Sequence, residues 1–340
     1  MSVASKKIAH AAELLSKSRR LWLSTHIKGD GDGIGCELAL ARALKATGKE
    51  VRIINSTPVP NDLKFLVRDK EEVSVYDAAR DLGFLKKVDT IVLLDAGESY
   101  RLGRLKHAFV ESAAVKICLD HHKGQENVFE SLLADPDRGS TGEILYELLA
   151  AIGSEITEEI ATPLFAAISI DTGSFSYERC NQRTFHIAGD LVAAGAAPYE
   201  IHTAYRWRKR VEELKLTGEV IQNLRIEGSN AIAYSEVTRD TLSRYDIDAT
   251  EMPEVVNIPL GVKDVEIAFL FIETAPCDIN VSVRSKGRYA VDVLAREFGG
   301  GGHPLAAGFS MRSSLEEAKA RVISRARNMI GRASHLCCSA

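Results

Sequence analysis

Short, largely apolar segments alternate with segments of helical periodicity over the first half of this chain. The apolar segments are predicted strands at residues 21–25, 51–55, 90–94 and 115–119. Runs of this length without regular polar alternation are typical of strands that are buried on both faces. Strands that alternate with helices pair in parallel, because each crossover helix returns the chain across the sheet. The pattern therefore predicts an α/β fold with a doubly wound, mainly parallel sheet.

The pattern of predicted secondary structure changes twice after this region. Helical patterns dominate at residues 141–151, 157–170, 183–194 and 198–224, and strands return at 231–237, 265–273 and 278–284, with further helices at 291–298 and 315–329. A length of 340 residues suits two domains better than one core. We predict a larger domain at 1–195, a helical connector at 196–224 and a smaller α/β domain at 225–335, across a cleft from the first.

The composition excludes some classes of protein. With 45% hydrophobic and 26% charged residues, the chain is typical of soluble globular proteins. Its formal net charge of -4 argues against a protein that holds long nucleic acid by charge alone. A nucleic-acid substrate would therefore be short or locally held. The first 20 residues fit an amphipathic helix rather than a signal peptide, and no stretch approaches a membrane span, so we predict a cytoplasmic protein without a membrane partner.

The six cysteines are scattered and form no Cys-x-x-Cys pair of the kind that binds zinc. Reduced thiols are the expected state in a cytosolic enzyme. Cys337 and Cys338, near the end of the chain, could serve lipidation or metal binding, but we favour a frayed terminus. Thiolates are therefore not part of the predicted chemistry.

Potential metal ligands follow four of the apolar segments. They are His26, Asp30 and Asp32, then Asp95, then Asp120, His121 and His122, and finally Asp171. Ligands in an open α/β sheet bind at the carboxyl ends of the strands, so these residues are predicted to converge. Carboxylates and imidazoles without thiolates suit Mn²⁺ or Mg²⁺. The set is too large for one ion, and two ions about 3.5–4 Å apart that share a carboxylate would set up attack by a metal-bound hydroxide on phosphorus.

The glycine-rich segment 26–35 has other interpretations. A dinucleotide-binding fingerprint would need glycine where this chain has Cys36, and a calcium loop would need oxygen ligands where it has Ile34 and Ala41. A polar turn with a capping aspartate stays open, since Asp is a favoured N-cap residue. We expect the glycines to let the backbone bend tightly, so that Asp30 and Asp32 point into one small volume.

Taken together, these motifs resemble the DHH phosphoesterase family. The order His-x-x-x-Asp-x-Asp, Asp, Asp-His-His, Asp matches the family motif by motif, and the resemblance covers nearly the whole chain. Within the family, the length, Ser140-Thr141-Gly142-Glu143 and Asp171-Thr172-Gly173 are most similar to bacterial nano-RNases that also dephosphorylate 3′-phosphoadenosine 5′-phosphate (pAp). One departure is Gly29 and Gly33 around the first two aspartates, where family members commonly have proline and a small residue other than glycine.

The resemblance implies a role for each of these side chains. The first ion would be held by His26, Asp30 and Asp95, and the second by Asp32, Asp95, His121 and Asp171, with Asp95 bridging. Asp120 would orient a ligand histidine or be a ligand itself, and His122 would face the scissile phosphate as a donor. The implied cofactors are two divalent ions, with Mn²⁺ preferred and Mg²⁺ as the alternative.

Two segments in the second half resemble the substrate-binding motifs of the DHH-associated C-terminal domain, residues 281–285 and 299–308. The resemblance implies that substrate is bound by Arg284, Ser285, Gly300, Gly301, Gly302 and His303. Glycine N–H groups allow close approach of an anion. The alternatives are a flexible linker for the glycines, a solvent-facing charge for Arg284, and a solvated helix face for the basic stretch 206–210.

The function implied is hydrolysis of phosphoric esters, as an exoribonuclease and a 3′(2′),5′-bisphosphate nucleotidase. Short RNA oligonucleotides would be degraded to nucleoside 5′-monophosphates, and pAp would lose its 3′-phosphate. The rival functions are hydrolysis of cyclic or linear dinucleotides, a manganese pyrophosphatase, and a non-catalytic nucleotide sensor. No obligate protein partner is indicated, and a homodimer is left open.

Overall fold

The structure is a computed structural model that describes residues 3–227, 231–249, 252, 255–302 and 304–337, with side chains described between residues 5 and 331. The chain divides into two compact units, Met1–Arg208 (unit 1) and Lys209–Ala340 (unit 2). The division falls within the predicted connector. In the described ranges, every helix is too short or too polar to cross a membrane.

Unit 1 alternates strands and helices. Its described elements are α1 (Val3–Lys17), β1 (Arg20–Ser24), α2 (Gly31–Ala46), β2 (Glu50–Asn55), β3 (Val73–Val75), α3 (Ala78–Leu85), β4 (Thr90–Leu94), α4 (Lys106–Glu111), β5 (Val115–Asp120), β6 (Ser131–Ala134), α5 (Thr141–Ala151), α6 (Glu158–Asp171), α7 (Gln182–Ala193) and α8 (Pro198–Arg206). The six strands described there pair in parallel, in the order β3-β2-β1-β4-β5-β6. The predicted α/β class and parallel sheet are confirmed.

The strands of this sheet are apolar because both of their faces are covered. All five residues of β4 are buried. Leu23 and Val92 pack into a core with residues of α1, α2, α5 and α6. Trp22 and Ile91 point the opposite way, into a second core with residues of α3 and α4. Because β1 is flanked by β2 on one side and β4 on the other, the strand order reverses beside it, and an open cleft is expected there.

The glycines after β1 do not have the role that the sequence indicated. Gly31, Gly33 and Gly35 lie in α2, and none of them has a left-handed φ. A Cβ atom on Gly31 would lie 2.5 Å from Cδ1 of Ile170, and one on Gly35 would lie 2.4 Å from the backbone oxygen of Pro163. These two glycines therefore allow α2 to pack closely against α6. The turn from strand to helix lies before them, at residues 25–30, and of the four glycines it contains Gly29 alone.

Unit 2 has a mixed sheet. Its described elements are α9 (Val211–Gln222), β7 (Arg225–Glu227), β8 (Ile232–Val237), α10 (Arg239–Tyr245), β9 (Ile267–Ala275), β10 (Asp278–Ser285), α11 (Val291–Glu297), β11 (Gly301–Gly302), β12 (Ala306–Arg312) and α12 (Leu315–Cys337). The strands described run in the order β11-β12-β10-β9-β8-β7, antiparallel except for β8 with β9. One face packs against α11 and α12, and the other carries a smaller core with α9 and α10.

The region between the two sheets is not the single helix predicted over 198–224. Helix α8 ends at Arg206, and α9 begins at Val211 after a non-helical stretch. Of the basic residues 206–210, only Arg206 is helical. The interpretation of this stretch as one solvated helix face is therefore wrong. A proline or glycine would have marked the break, but the sequence has neither there.

Candidate metal centre

The predicted ligands of unit 1 meet at the carboxyl edge of its sheet. His26, Asp30 and Asp32 follow β1, Asp95 follows β4, and Asp120, His121 and His122 lie at the end of β5. Asp171 is the last residue of α6, the helix that packs against α2. The sequence places these side chains far apart in the chain, and the parallel pairing of β1, β4 and β5 brings them together.

His26 lies between two carboxylates. Its Nε2 atom is 3.3 Å from Oδ2 of Asp95 and 3.6 Å from Oδ2 of Asp30. Its Nδ1 atom is 2.8 Å from the backbone oxygen of Ile27. A carbonyl oxygen can only accept, so Nδ1 carries a proton in this contact and Nε2 is the nitrogen directed at the carboxylates. This is the arrangement of a histidine that ligates through Nε2.

His121 has the same arrangement toward a different set of carboxylates. Its Nε2 atom is 3.1 Å from Oδ2 of Asp171, 3.6 Å from Oδ1 of Asp95 and 3.9 Å from Oδ2 of Asp32. Its Nδ1 atom is 3.3 Å from the backbone oxygen of Arg138. The two oxygens of Asp95 thus face two different histidines.

The ligand atoms form three compact groups in the described part of the chain. They are His26, Asp30 and Asp95; Asp32, His121 and Asp171; and Asp95, His121 and His122, with the atoms of each group within 4.8 Å of one another. The first group matches the first ion site that the family resemblance implies, and the second contains three of the four residues implied for the second site, without Asp95. The third leaves a ligand role open for His122.

Asp120 contacts His122 rather than the adjacent His121. Its Oδ1 atom accepts from the backbone N–H of His122 at 2.9 Å and lies 2.7 Å from Nδ1 of the same residue. Its Oδ2 atom accepts from the N–H of Gly97 at 2.7 Å. Nδ1 of His122 is also 3.0 Å from Oδ1 of Asp95. Asp120 therefore fixes His122, which differs from the expectation that it orients a ligand histidine.

The N-terminus of α5 contributes donors that the sequence analysis did not identify. The backbone N–H groups of Thr141 and Gly142 donate to the two carboxylate oxygens of Asp32, at 2.6 and 3.0 Å. The hydroxyl of Thr141 donates to Asp95 at 3.3 Å. Asp30 has a second role as the N-cap of α2, since it accepts from the N–H groups of Asp32 and Gly33. Metal ligation and capping are therefore compatible interpretations of Asp30.

The cluster has an excess of negative charge. Burial and the charges of neighbouring carboxylates raise the pKa of Asp32 and of Asp171 well above the usual range. Burial acts the same way on Asp95, but the imidazoles of His122 and His26 outweigh it and hold the pKa of this carboxyl well below that range. Burial disfavours charged imidazoles, yet contacts with carboxylates raise the pKa of His26 and of His122 to about 10.

Three observations show that these residues fit a divalent cation. Nε2 of His26 is buried and has no hydrogen-bond partner among the described residues. In the part of the chain that the structure describes, only histidines form ion pairs with the clustered carboxylates. Burial raises the pKa of the Cys36 thiol well above its usual range, and this thiol donates to Asp32 at 3.5 Å. The donors are therefore imidazoles and carboxylates, which suit Mn²⁺ or Mg²⁺.

The predicted substrate residues of unit 2 lie around β10. Arg284 is half-buried on the sheet face opposite Val283, which belongs to the core. Ser285 is buried, and its hydroxyl accepts from the N–H of Gly287 at 3.0 Å. Strand β12 separates β10 from the glycine run. His303 lies outside the described residues.

The glycine run is part of the fold of unit 2. The N–H groups of Gly299 and Gly300 donate to carbonyls at the end of α11, and Gly301 and Gly302 form β11 beside β12. A Cβ atom on Gly300 would lie 2.2 Å from the backbone oxygen of Gly308, whereas one on Gly301 would meet nothing within 4 Å. The flexible-linker alternative is therefore wrong, because each glycine of the run belongs to a helix end or a strand.

Comparison with known proteins gives the same division of the chain. Residues 20–168 match the DHH family, N-terminal domain, and residues 229–331 match the DHHA1 domain. A solved structure described as an exopolyphosphatase-related protein from Bacteroides fragilis superposes with a TM-score of 0.89 at 26% identity, covering 95% of this chain and 96% of that one.

Two relatives share the name bifunctional oligoribonuclease and PAP phosphatase NrnA. The protein from Thermus thermophilus is 28% identical over 93% of this chain and 92% of its own length. The protein from Bacillus subtilis is 27% identical over 86% of this chain and 89% of its own length. With both domain matches in sequence order, and with relatives that align over most of both chains, this chain belongs to the DHH family and carries a DHHA1 domain after its DHH domain.

Proposed function

We propose that this chain is a divalent-cation-dependent phosphoesterase that degrades short RNA oligonucleotides to nucleoside 5′-monophosphates and removes the 3′-phosphate of pAp. Its family makes it a hydrolase of phosphoric esters. The substrates are proposed from the shared name of the Thermus thermophilus and Bacillus subtilis relatives, which align over most of their length.

The position of Asp95 is the observation that carries this proposal. One of its oxygens faces His26 at 3.3 Å and the other faces His121 at 3.6 Å. Asp30 lies in one group with His26 and Asp95, and Asp32 and Asp171 lie in another with His121. Asp95 would therefore be shared between two cations. Bound cations would supply a water of lowered pKa and neutralise the charge of the phosphate.

His122 is proposed to donate a hydrogen bond or a proton to the phosphate. Its Nδ1 atom is engaged by Asp120 and Asp95, so Nε2 is the nitrogen that would serve a phosphate oxygen. Asp120 is itself held by the N–H of Gly97. The ring orientation of His122 is thus fixed by a carboxylate that has no place in the three ligand groups. Such a fixed donor contributes by general acid catalysis.

Unit 2 is proposed to bind the nucleotide end of the substrate through Arg284, Ser285, the glycine run Gly300–Gly302 and His303. A guanidinium suits a phosphate because its N–H groups match two phosphate oxygens. Binding energy from contacts remote from the reacting phosphorus would position it for attack. This would favour nucleotide substrates over inorganic ones.

The test is a substrate panel with purified protein stripped by a chelator and then supplied with Mn²⁺ or Mg²⁺. The panel contains an RNA dinucleotide, a pentanucleotide, pAp, a cyclic dinucleotide, pyrophosphate and polyphosphate. We expect nucleoside 5′-monophosphates from the RNAs and AMP from pAp, with Mn²⁺ more effective than Mg²⁺. Polyphosphate is included because of the description of the Bacteroides fragilis protein.

Two results would overturn the proposal. Turnover of pyrophosphate or polyphosphate alone would replace the nucleotide substrates with inorganic ones. Full activity after chelation, without added cation, would remove the metal centre from the mechanism. The polarity of attack on RNA follows from the same assay if one end of the pentanucleotide is labelled.

A further inference from the structure

A loop outside the predicted ligand set makes contacts with three of its members. The segment from Asp135 to Gly142, called the loop below, comprises the connection from β6 to α5 and the first two residues of α5. Its Arg138 carbonyl faces Nδ1 of His121 at 3.3 Å, and its Thr141 and Gly142 N–H groups donate to Asp32. The Thr141 hydroxyl donates to Asp95. The conformation of this loop therefore sets how both histidine and carboxylate donors are aimed.

The loop is held by the guanidinium of Arg138. Its Nε atom donates to Asp135 at 2.8 Å, and its NH1 nitrogen lies 3.0 Å from Glu147 and 4.0 Å from Glu143, both on α5. The side chain of Arg138 is only 13% exposed. Arg138 thus links three carboxylates that would otherwise repel one another, and Arg183 is a second cation that pairs with Glu147.

Glu143 is a buried carboxylate that needs a cation nearby. Its side chain is fully buried, and its Oε1 atom accepts from the N–H of Gly139 at 3.2 Å and from the hydroxyl of Thr184 at 2.9 Å. Its Oε2 atom has no hydrogen-bond partner among the described residues. Arg138 lies nearest to that oxygen as a cation, at 4.0 Å. Loss of Arg138 would leave Glu143 with a buried charge and free the loop to move.

We propose that Arg138 is a positioning residue of the metal centre, which acts through its own carbonyl on His121 and through the loop on Asp32. The inference rests on the proposed function, since it presupposes that His121 and Asp32 bind a cation. Groups that orient metal ligands typically change metal affinity by about 10- to 100-fold when they are removed. Arg138 is expected to fall in that range.

The test compares Arg138→Met with a matched control, Arg42→Met. Arg42 is equally enclosed, at 10% exposure of its side chain, and pairs with Glu72 while donating to two backbone carbonyls, away from the ligands. Mn²⁺ binding is measured by isothermal titration calorimetry, and the midpoint of thermal unfolding is measured without cation. Hydrolysis of an RNA dinucleotide is measured over a range of Mn²⁺ concentrations.

We expect both variants to unfold at a lower temperature than the unmodified protein, and only Arg138→Met to bind Mn²⁺ about 10- to 100-fold more weakly. Its kcat should recover at saturating Mn²⁺, because no group that contacts substrate is removed. Arg138→Lys should restore part of the Mn²⁺ affinity. If Arg138→Met fails to fold, Glu147→Gln is a smaller change that removes the ion pair of Arg138 with Glu147, together with that of Arg183, and it should also weaken Mn²⁺ binding.

Unchanged Mn²⁺ affinity in Arg138→Met or in Glu147→Gln would overturn the inference and leave Arg138 with a structural role alone. Equal loss of affinity in Arg42→Met would do the same, since it would trace the effect to general destabilisation. Failure of the unmodified protein to bind Mn²⁺ would instead contradict the proposed function. The two failures are therefore distinguishable in one titration series.

Discussion

At the carboxyl edge of the unit 1 sheet, the motif side chains contact one another, whereas the glycine motif of unit 2 is occupied by backbone structure. Among the residues that the structure describes, the carboxylates of Asp95 and Asp171 have only imidazoles and a hydroxyl as side-chain partners. In unit 2 the N–H groups of Gly299 and Gly300 end a helix, and β11 fills an edge of the sheet. A motif whose polar groups have no structural role in the fold is stronger evidence of a functional site than one whose groups complete a helix or a sheet.

Asp95→Asn is expected to have the largest effect, because it removes charge from the residue whose two oxygens face His26 and His121. Its φ of 58° is left-handed, which Asn tolerates, so the backbone should be kept. We expect hydrolysis of an RNA dinucleotide to fall by about 10³-fold or more, beyond the range typical of groups that only orient a ligand. Metal content by mass spectrometry should fall as well.

The matched control is Asp81→Asn, at a buried aspartate that pairs with Arg80 on α3. It should lower stability while leaving the metal content unchanged. If both variants lost metal to the same degree, the contrast between the two regions would not hold. Replacement of any buried aspartate in unit 1 would then lower the metal content, whether or not it belongs to the ligand groups.

His122→Ala should lower kcat by about 10²- to 10⁴-fold, the range of a general acid, while two cations remain bound. The reason is that Asp120, which lies outside the ligand groups, makes the shorter contact with Nδ1 of the ring, at 2.7 Å against 3.0 Å for Asp95. Binding stoichiometry from calorimetry separates the two roles. Loss of one cation would make His122 a ligand, in line with its place beside Asp95 and His121.

Two substitutions in the glycine run test whether this motif of unit 2 has only a structural role. Gly300→Ala should destabilise unit 2 by about 1–3 kcal/mol, because its Cβ would overlap the oxygen of Gly308. Gly301→Ala meets open space and should change stability by less than about 1 kcal/mol. The measurements are thermal unfolding and KM for an RNA dinucleotide.

Gly301→Ala is therefore the informative variant. A higher KM without a lower unfolding temperature would show that the run binds substrate in addition to completing the sheet. An unchanged KM would confine the run to its structural role and leave the substrate contacts to other residues of unit 2.

Glu37 tests whether a buried carboxylate of unit 1 that has a structural partner lies outside the metal centre. It is buried in α2, and its carboxylate accepts from Asn55 at 2.8 Å. Burial raises its pKa from 4.5 to about 8, against the hydrogen bond from Asn55. Above about pH 4.5 the unfolded chain loses this proton and the folded chain keeps it, so stability falls until about pH 8 and is then constant.

Glu37→Gln should therefore raise the unfolding temperature by roughly 5 to 10 °C at pH 9 and leave it unchanged at pH 4. Mn²⁺ affinity should be unaffected. Glu72→Gln is the control of opposite sign: burial opposes its ionisation, but the Arg42 ion pair outweighs this and holds the pKa of Glu72 below its usual range. That variant should be less stable at neutral pH. Weaker Mn²⁺ binding in Glu37→Gln would extend the metal centre along α2 beyond Asp32.

The buried strands of unit 1 were predictable from the sequence, because strands covered on both faces are continuous apolar runs. Strands β3, β6 and β7 were not predicted, since they are short, and β3 and β7 have no buried residue. Strand β12 alternates buried residues with Gly308 and Ser310, a pattern weakened by the small residues. Short edge strands depend on their neighbours more than on their own composition.

The convergence of the ligands was predictable for a similar reason, since carboxyl ends of parallel strands share an edge. The backbone contacts were not, because the donor N–H of Gly97 and the acceptor carbonyl of Arg138 belong to residues whose side chains give no signal. The segment Ser140–Glu143 was noted for its resemblance to nano-RNases, which could have indicated that its N–H groups approach Asp32. The N–H groups of this segment are able to donate because they lie at the N-terminus of α5, where they have no partner within the helix.

The ligands span residues 26 to 171, so the site cannot exist in part of unit 1. Parallel pairing of β1, β4 and β5 and the docking of α6 must all precede it. On the ribosome, a nascent chain would acquire the complete set of ligands only after Asp171 has emerged and α6 has packed. A chain that is truncated before this helix would keep the group of His26, Asp30 and Asp95 and lack the group that contains Asp171.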